Sequence, residues 1–245
     1  MFCSVITPTY NRANLLASLH ASLCQQKDPD LEWIVADDGS TDGTAAAVEK
    51  LRRDSPFPVT YLYQENAGKH TAVNAALAAA RAELCLILDS DDKLTPDAIS
   101  LIKEVWSRYS SNKKICGLSF HAQDNSGRFL GDQFPEDFYL SDHNRCRIQQ
   151  GCRGDKCEVF RTEILKAFPF PVFPGESFIV ESIVWGRIAD HYQTVYVNRT
   201  ILIKTYLPGG ISASAKQAQL RSPQGSTLAA REMLQRPFSW GVKCK

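Results

Sequence analysis

The sequence lacks several features that would assign it to common classes of protein. Its 245 residues carry a net charge of +1, so there is no basic excess for a nucleic-acid surface, and we expect no nucleic-acid partner. No apolar run approaches the roughly 20 residues of a membrane-spanning helix. The chain enters a strand-like segment directly, without the basic region and cleavage site of a signal peptide, which favours a cytoplasmic location.

Two nucleotide-binding loops and one cysteine motif are absent as well. A GxxxxGK[ST] loop is missing, which disfavours a P-loop nucleotidase, and no GxGxxG follows the first predicted strand, which disfavours a dinucleotide-dependent dehydrogenase. The eight cysteines include no CxxC pair. Four potential zinc ligands cluster in residues 143–157, but their spacings match no common zinc site, so we favour reduced thiols. They are His143, Cys146, Cys152 and Cys157.

The most distinctive feature that is present is an apolar run that ends in acids. Residues 84–88 have the length and continuity of a strand buried on both faces of a parallel sheet. Asp89, Asp91 and Asp92 follow at once. Clustered carboxylates repel one another unless a cation or several donors offset their charge, and a divalent cation with substrate phosphates is a common solution. The alternative is an acidic turn before the next helix.

Strand and helix patterns alternate through the first 110 residues. Four strand-like runs are each followed by an amphipathic helix, which predicts an α/β fold with a mostly parallel, Rossmann-like sheet and helices on both faces. In open parallel sheets ligands bind beyond the carboxyl ends of the strands. Four polar loops are predicted at this edge: Pro8 to Arg12, Asp37 to Thr44, Asn66 to His70, and Asp89 to Asp92.

These loops resemble the motifs of the family 2 inverting glycosyltransferases of GT-A fold, in the family's order and at similar separations. The likeness covers residues 1–110. It implies an enzyme that moves a sugar from a nucleotide-sugar donor, most often a UDP-sugar, to an acceptor hydroxyl, with Mn²⁺ or Mg²⁺ as cofactor. The partner it implies is a glycan or lipid-linked glycan acceptor in cell-surface polysaccharide synthesis.

The resemblance also implies roles for individual residues. Asp89 and Asp91 match the family's DxD motif, with Asp91 on the metal and Asp89 near the metal or the ribose. Lys69 would lie near the diphosphate, and Asp38 would accept a hydrogen bond from the base unless it only caps its turn. Arg12 is either a donor contact or a surface residue at a helix start. The implied donor-binding set is Thr7, Pro8, Tyr10, Arg12, Asp38, Gly68, Lys69 and Asp89, of which the first three would line the base pocket.

An inverting transferase needs one base to deprotonate the acceptor hydroxyl. In the family this carboxylate begins a helix after the DxD strand. Glu181 matches that placement, in a Glu-x-x-x-Trp context, and Glu176 competes with it. The commoner Glu-Asp pair is absent here, and an acid favoured by the helix dipole is the structural alternative for both residues.

The chain divides by pattern into three parts. Residues 1–110 form the predicted nucleotide-sugar-binding half, residues 111–212 the acceptor and catalytic half of the same domain, and residues 213–245 a helical extension or tail. Residues 135–154 lack a clear period and are interpreted as a loop or short helix over the site. The segment Pro208 to Ser212 resembles the part of these enzymes that closes over bound donor, with glycines as hinges.

The last residues mix cations with aromatic rings. Such a tail can rest on an anionic membrane surface, so peripheral contact at the inner face of the membrane and a solvated tail or interface both remain open. The residues concerned are Arg236, Phe238, Trp240, Lys243 and Lys245.

Two other functions use similar features. A nucleotidyltransferase has a comparable sheet and acids but normally carries a glycine-rich loop after its first strand, where this chain has Pro8 to Arg12. A non-catalytic sugar-nucleotide-binding scaffold is the second alternative, and the intact acids at Asp89, Asp91 and Glu181 argue against it.

Overall fold

The first half of the chain alternates strands and helices as the sequence predicts. The computed structural model describes residues 1–206 and 211–238. The alternating elements are β1 (Cys3–Thr9), α1 (Ala13–Cys24), β2 (Leu31–Asp37), α2 (Thr44–Arg53), β3 (Val59–Tyr63), α3 (Lys69–Ala79), β4 (Leu84–Ile87), the short β5 (Lys93–Leu94) and α4 (Ala98–Ser107).

The second half is less regular. Within residues 135–154 the structure forms a short strand and a π-helical segment, where the sequence predicts a loop or short helix. Residues 193–204 form one continuous strand whose register is irregular between Val197 and Thr200. The elements are β6 (Ile115–Asp124), β7 (Phe129–Leu130), β8 (Tyr139–Ser141), the π-helical segment (Asn144–Gln149), β9 (Lys156–Arg161), α5 (Thr162–Ala167), α6 (Ser182–Ala189) and β10 (Gln193–Lys204).

All ten described strands belong to one sheet. Its main order is β3-β2-β1-β4-β9-β6-β10-β5, with β7 beside β6 and β8 beside β10. Strands β1 to β4 are parallel, and β9 lies antiparallel between β4 and β6. Both predicted halves therefore contribute to one sheet; the division at residue 110 and the separate tail stay predictions.

Two apolar layers cover the sheet, one on each face. Because successive side chains of a strand point to opposite faces, Val5 packs in one layer and Ile6 in the other. The first layer contains the apolar residues of α1 and α4, and the second those of α3, α5 and α6. The predicted helices on both faces are thus confirmed, and the sheet's polar loops lie at the strand ends.

Two helices follow the sheet in the C-terminal part. They are α7 (Ile211–Leu220) and α8 (Pro223–Gln235), where the sequence predicts one helix from Ser226 to Gln235. In the predicted closing segment Pro208 to Ser212, residues 208–210 lie outside the described residues. None of the helices in the described ranges is long and apolar enough to cross a membrane.

The close contact between β6 and β9 gives a test of this topology. A Cβ added to Gly117 in β6 would meet the Val159 carbonyl oxygen of β9 at 1.9 Å. We expect Gly117→Ala to lower the free energy of unfolding by about 2–3 kcal/mol through overpacking. Urea unfolding measures the change.

Gly43→Ala is the matched control, because no atom lies within 4 Å of a Cβ added there. It should change stability by less than about 0.5 kcal/mol. Equal stabilities of the two variants would contradict the placement of β9 against β6.

Candidate active site

Three carboxylates meet just beyond the end of β4. Oxygen atoms of Asp89, Asp91 and Asp92 all lie within 4.8 Å of one another, and in the described part of the chain this is the one group of acids, histidines or cysteines with metal-binding geometry. Hard oxygen ligands suit Mg²⁺ and Mn²⁺. The predicted acidic cluster is therefore brought together by the fold.

Two of these carboxylates are held by basic side chains from other elements. Arg12, just before α1, donates from Nη1 to Asp91 Oδ2 at 2.9 Å. Asp92 is almost fully buried and accepts from Lys204 Nζ at 2.8 Å and from the Thr205 backbone N–H at 3.1 Å. Asp92 thus ties the end of β4 to the end of β10, while Asp89 and Asp91 are the more accessible members of the cluster.

The third carboxylate is linked to the predicted base by one lysine. Lys69, the first residue of α3, places Nζ 2.6 Å from Asp89 Oδ1 and 2.9 Å from Glu181 Oε1. Glu181 immediately precedes α6 in the second half of the chain. The structure therefore brings together three sequence-predicted residues that three separate elements supply.

Charge pairing dominates the electrostatics of this cluster. Burial acts to lower the pKa of Lys69, but the charges of Asp89 and Glu181 outweigh it and raise that pKa above its usual value. Burial would raise the pKa of Asp89, yet Lys69 and Lys204 hold it well below its ordinary range. Burial raises the pKa of Asp92 to about 6 against the opposing charge of Lys204.

A cavity of about 260 Å³ opens beside this cluster. Lys69, Asp89 and Glu181 border it. Its remaining polar wall comes largely from residues that sequence reasoning did not assign to the site: Lys204, His143, Arg147 and Glu158. Asp155 and Lys156 also line it.

The loops after β1 and β2 are joined to each other by side-chain hydrogen bonds. Asn11, whose φ of 51° is left-handed, accepts from the Thr41 N–H at 2.8 Å, and its own N–H donates to Ser40 Oγ at 2.8 Å. Asp42 accepts from the Ala13 N–H at 3.1 Å. Tyr10 is left about half exposed on this surface, whereas Pro8 is buried.

Asp38 fixes the loop that leads to Lys69. Its carboxylate accepts from Gln64 Nε2 at 2.8 Å, from the Ala67 N–H at 2.9 Å and from the Gly68 N–H at 2.8 Å. The structure thus uses Asp38 as a turn-capping group, and its predicted contact with the base stays a prediction. Gly68 adopts a φ of 102° and packs so closely on Ser177 that a Cβ would lie 2.2 Å from that carbonyl oxygen.

The Thr7 side chain is buried in the core, and the predicted place of this residue in the base pocket stays a prediction. Thr7 is fully buried, and its hydroxyl accepts from Trp33 Nε1 at 2.9 Å. Its side chain therefore lies in the core between β1 and β2 and does not reach the surface where Tyr10 is exposed. A strand's alternation places neighbouring side chains on opposite faces, which the motif alone does not resolve.

Glu176 has a different environment from Glu181. It is buried, and its carboxylate accepts from the backbone N–H groups of Gln224 at 2.6 Å and Gly225 at 2.8 Å. These donors belong to the first turn of α8, so Glu176 caps that helix. The two candidate bases are thereby separated, since only Glu181 borders the cavity.

The cysteines of residues 143–157 do not converge with His143. Cys146 and Cys152 are buried in one small apolar cluster, and Cys157 belongs to the main core. His143 lines the cavity instead.

Part of the predicted tail is packed against the fold. Arg236 Nη2 lies 3.3 Å from Asp190 and 3.4 Å from Glu232, and Phe238 is buried. Trp240, Lys243 and Lys245 lie outside the described residues, so a membrane contact of this tail stays a prediction.

Comparison with known proteins identifies the family. The sequence profile of glycosyl transferase family 2 matches residues 4–168, which is more than half of the chain. The chain belongs to glycosyl transferase family 2. The resemblance inferred from the four loops is thereby confirmed, and the matched range contains the cluster of Asp89, Asp91 and Asp92.

Matches to curated relatives cover about half of this chain. The chain is 36% identical over 124 residues to the putative teichuronic acid biosynthesis glycosyltransferase TuaG of Bacillus subtilis, a match that covers 50% of this chain and 49% of TuaG. It is also 36% identical over 121 residues to an uncharacterized glycosyltransferase of Nostoc sp., covering 49% of this chain and 36% of the relative. The chain therefore spans about half or less of their length.

Solved structures of glycosyltransferases share the fold. TarS 1-349 of S. aureus matches 99% of this chain and 68% of its own with a TM-score of 0.73 and 23% identity. The mannosyltransferase PcManGT of Pyrobaculum calidifontis, solved with GDP-Man and Mn²⁺, matches 97% of this chain and 65% of its own with a TM-score of 0.66 and 22% identity. The predicted GT-A fold is confirmed.

The cap that Glu176 forms on α8 predicts that this carboxylate stabilises the fold. Glu176→Gln removes the charge and one of two acceptor oxygens, so we expect the free energy of unfolding to fall by about 1–2 kcal/mol. Urea unfolding measures this loss. Glu136→Gln, at an exposed carboxylate with no side-chain contact among the described residues, is the control that should leave stability unchanged. A Glu176→Gln variant with the same free energy of unfolding as the wild type would contradict the capping role.

Proposed function

We propose that this protein is an inverting glycosyltransferase that moves a sugar from a UDP-sugar or related nucleotide-sugar to an acceptor hydroxyl. One observation carries the proposal. Lys69 Nζ contacts both Asp89 and Glu181, so the DxD motif and the candidate base border the same cavity. Support for the donor class comes from the fold shared with TarS in complex with UDP-GlcNAc, at a TM-score of 0.71.

The transfer needs one base beside the hydroxyl group that receives the sugar. In the proposed reaction Glu181 takes the proton of the acceptor hydroxyl while that oxygen bonds to the anomeric carbon of the donor. The bond from the anomeric carbon to the diphosphate breaks, and its electron pair leaves with the nucleoside diphosphate. Attack and departure on opposite sides of the carbon invert its configuration.

The leaving group carries charge that the site must offset. Asp89 and Asp91 offer the hard oxygen ligands that Mn²⁺ or Mg²⁺ requires. Bound there, the cation supplies positive charge beside the departing diphosphate. Arg12 and Lys69, which pair with these carboxylates, add cationic donors suited to phosphate oxygens.

The remaining donor contacts follow the predicted set. We propose that exposed Tyr10, with Pro8 below it, borders the base, and that Asp38 and Gly68 act by fixing the loop that carries Lys69. The name of the relative TuaG supports a role in cell-surface polysaccharide synthesis, with a glycan or lipid-linked glycan as acceptor.

Metal-dependent nucleotide binding gives the first test. UDP at about 100 times its Kd should stabilise the wild-type protein by about 2.7 kcal/mol with Mn²⁺ or Mg²⁺ present, and far less in EDTA. Asp91→Asn should lose the metal-dependent part because it removes one charged ligand. Thermal unfolding with and without the ion measures both effects.

Glu136→Gln is the control for the loss of one negative charge, and it should keep the full metal-dependent shift. An Asp91→Asn variant that also keeps that shift would contradict the assignment of Asp91 to the metal.

Turnover gives the second test, of the base. Glu181→Gln keeps the size of the side chain and removes its basicity, so transfer should fall by about 100- to 10,000-fold. Release of nucleoside diphosphate from a panel of nucleotide-sugars, with and without oligosaccharide acceptors, measures the loss.

The same variant should retain the metal-dependent stabilisation by UDP, because Glu181 is not assigned to the nucleotide. Turnover that survives in Glu181→Gln but disappears in Glu176→Gln, at conditions where both are folded, would show that Glu181 is not the base.

A further inference from the structure

The cavity has a second wall that the proposed reaction leaves without a role. We call it the basic wall: the two cations Arg147 and Lys156. Neither of them lies within 4.0 Å of a carboxylate in the described part of the chain. By contrast, Lys69 and Lys204 in the same cavity each pair with two carboxylates.

Arg147 is held in place by a group that does not neutralise it. Its Nη2 donates to the Gly154 carbonyl oxygen at 2.7 Å, which orients the guanidinium at the cavity wall. Its Nη1 is buried and has no hydrogen-bond partner among the described residues. Burying a cationic N–H group without a hydrogen-bond partner costs free energy. This geometry is therefore suited to a ligand that brings a hydrogen-bond acceptor to Arg147.

Lys156 adds a second buried cation to this wall. Only 8% of it is exposed, and Nζ donates to the Arg153 carbonyl oxygen at 2.8 Å and lies 5.4 Å from the centre of the Phe134 ring. Burial, with the charge of Arg147, lowers the pKa of Lys156 to about 8. Burying the Lys156 ammonium costs free energy that an apolar residue would avoid. This indicates that the charge serves something other than stability.

The acids of this end of the cavity do not cancel these charges. Glu158 borders the cavity but forms no ion pair with Arg147 or Lys156 within 4.0 Å, and burial raises its pKa. The Asp155 carboxylate accepts a hydrogen bond from the Tyr206 hydroxyl. Arg147 and Lys156 therefore remain at the cavity as two cations with no carboxylate within 4.0 Å among the described residues.

The sheet order places this wall away from the donor loops. Strand β9, which begins with Lys156, lies on one side of β4, and β1, β2 and β3 with their nucleotide-binding loops lie on the other. Glu181, the proposed base, borders the cavity between them with Lys69 and Asp89. A ligand on the basic wall would thus lie beside Glu181, on the side of β4 away from the donor loops.

We propose that the basic wall, through Arg147 and Lys156, binds an anionic group, a carboxylate or a phosphate, on the acceptor. The assignment rests on the proposed transferase function and narrows its acceptor class to acidic glycans or phosphate-containing polymers. A guanidinium fixed by one backbone carbonyl can offer its remaining donors to two oxygens of such a group.

Acceptor fragments in the presence of UDP and Mn²⁺ test this assignment. The probes are a glycerol-phosphate tetramer, a tetragalacturonate and neutral maltotetraose, with binding measured by calorimetry. We expect at least one anionic probe to bind about tenfold or more tightly than the neutral one and to weaken with added salt. The probe that binds distinguishes phosphate from carboxylate.

Three variants locate the binding. Arg147→Gln and Lys156→Met should each weaken the anionic probe about tenfold, whereas Arg145→Gln, an exposed cation of the same segment, should change it less than about twofold. Lys156→Met keeps the side-chain stem and removes a buried charge, so its Tm should equal or exceed that of the wild type. That variant stays informative if Arg147→Gln fails to fold.

Equal binding of charged and neutral probes, no binding of any probe, or equal effects of Arg145→Gln and Lys156→Met would each overturn the assignment. The UDP shift measured in the same samples reports on the proposed function separately. If wild-type protein binds the anionic probe but shows no metal-dependent UDP shift, the transferase proposal fails while the anion site stands.

Discussion

The arrangement of the site depends on one ammonium group placed between two carboxylates. Asp89, Asp91 and Asp92 lie together, and Glu181 shares Lys69 with Asp89, so the mutual repulsion of these acids would oppose the fold. Lys69 offsets this repulsion by contacting Asp89 and Glu181 at once, and Arg12 and Lys204 compensate the other two acids. Each basic residue comes from a different part of the chain, so the acidic cluster also joins the start of α1, α3 and β10.

The position of Lys69 is fixed by groups that do not line the cavity. Asp38 accepts three hydrogen bonds from Gln64, Ala67 and Gly68, and this sets the turn before α3. Gly68 then lies against the Ser177 carbonyl with no room for a side chain. Since Ser177 precedes α6, this contact couples the loop of Lys69 to the segment that carries Glu181, and the two halves of the site are held in register.

The parts of this architecture that contiguous sequence encodes were predictable. Apolar runs, helical periodicity and the acids after β4 predicted the α/β sheet and the edge where Asp89 and Asp91 lie. Lys204 was not predictable because a lysine ending a strand has no signature until β10 is placed beside β6. The buried position of the Thr7 side chain was not predictable because its partner Trp33 belongs to another strand. The capping role of Glu176 depends on α8, which follows it in the chain and packs back on it.

The irregular second half brings further charged side chains to the cavity. Strand β9 runs antiparallel beside β4, so it brings Lys156 and Glu158 to the cavity without altering the parallel strands that hold the donor loops. Arg147 lies in the π-helical segment Asn144–Gln149. This geometry is rare in proteins, and where it occurs it is often at a functional site. The wider turn of this segment lacks the regular backbone hydrogen bonds of an α-helix. We infer that it is kept because it places the Arg147 guanidinium at the wall of the cavity. Donor chemistry and acceptor choice would then reside on opposite sides of β4, with Glu181 between them.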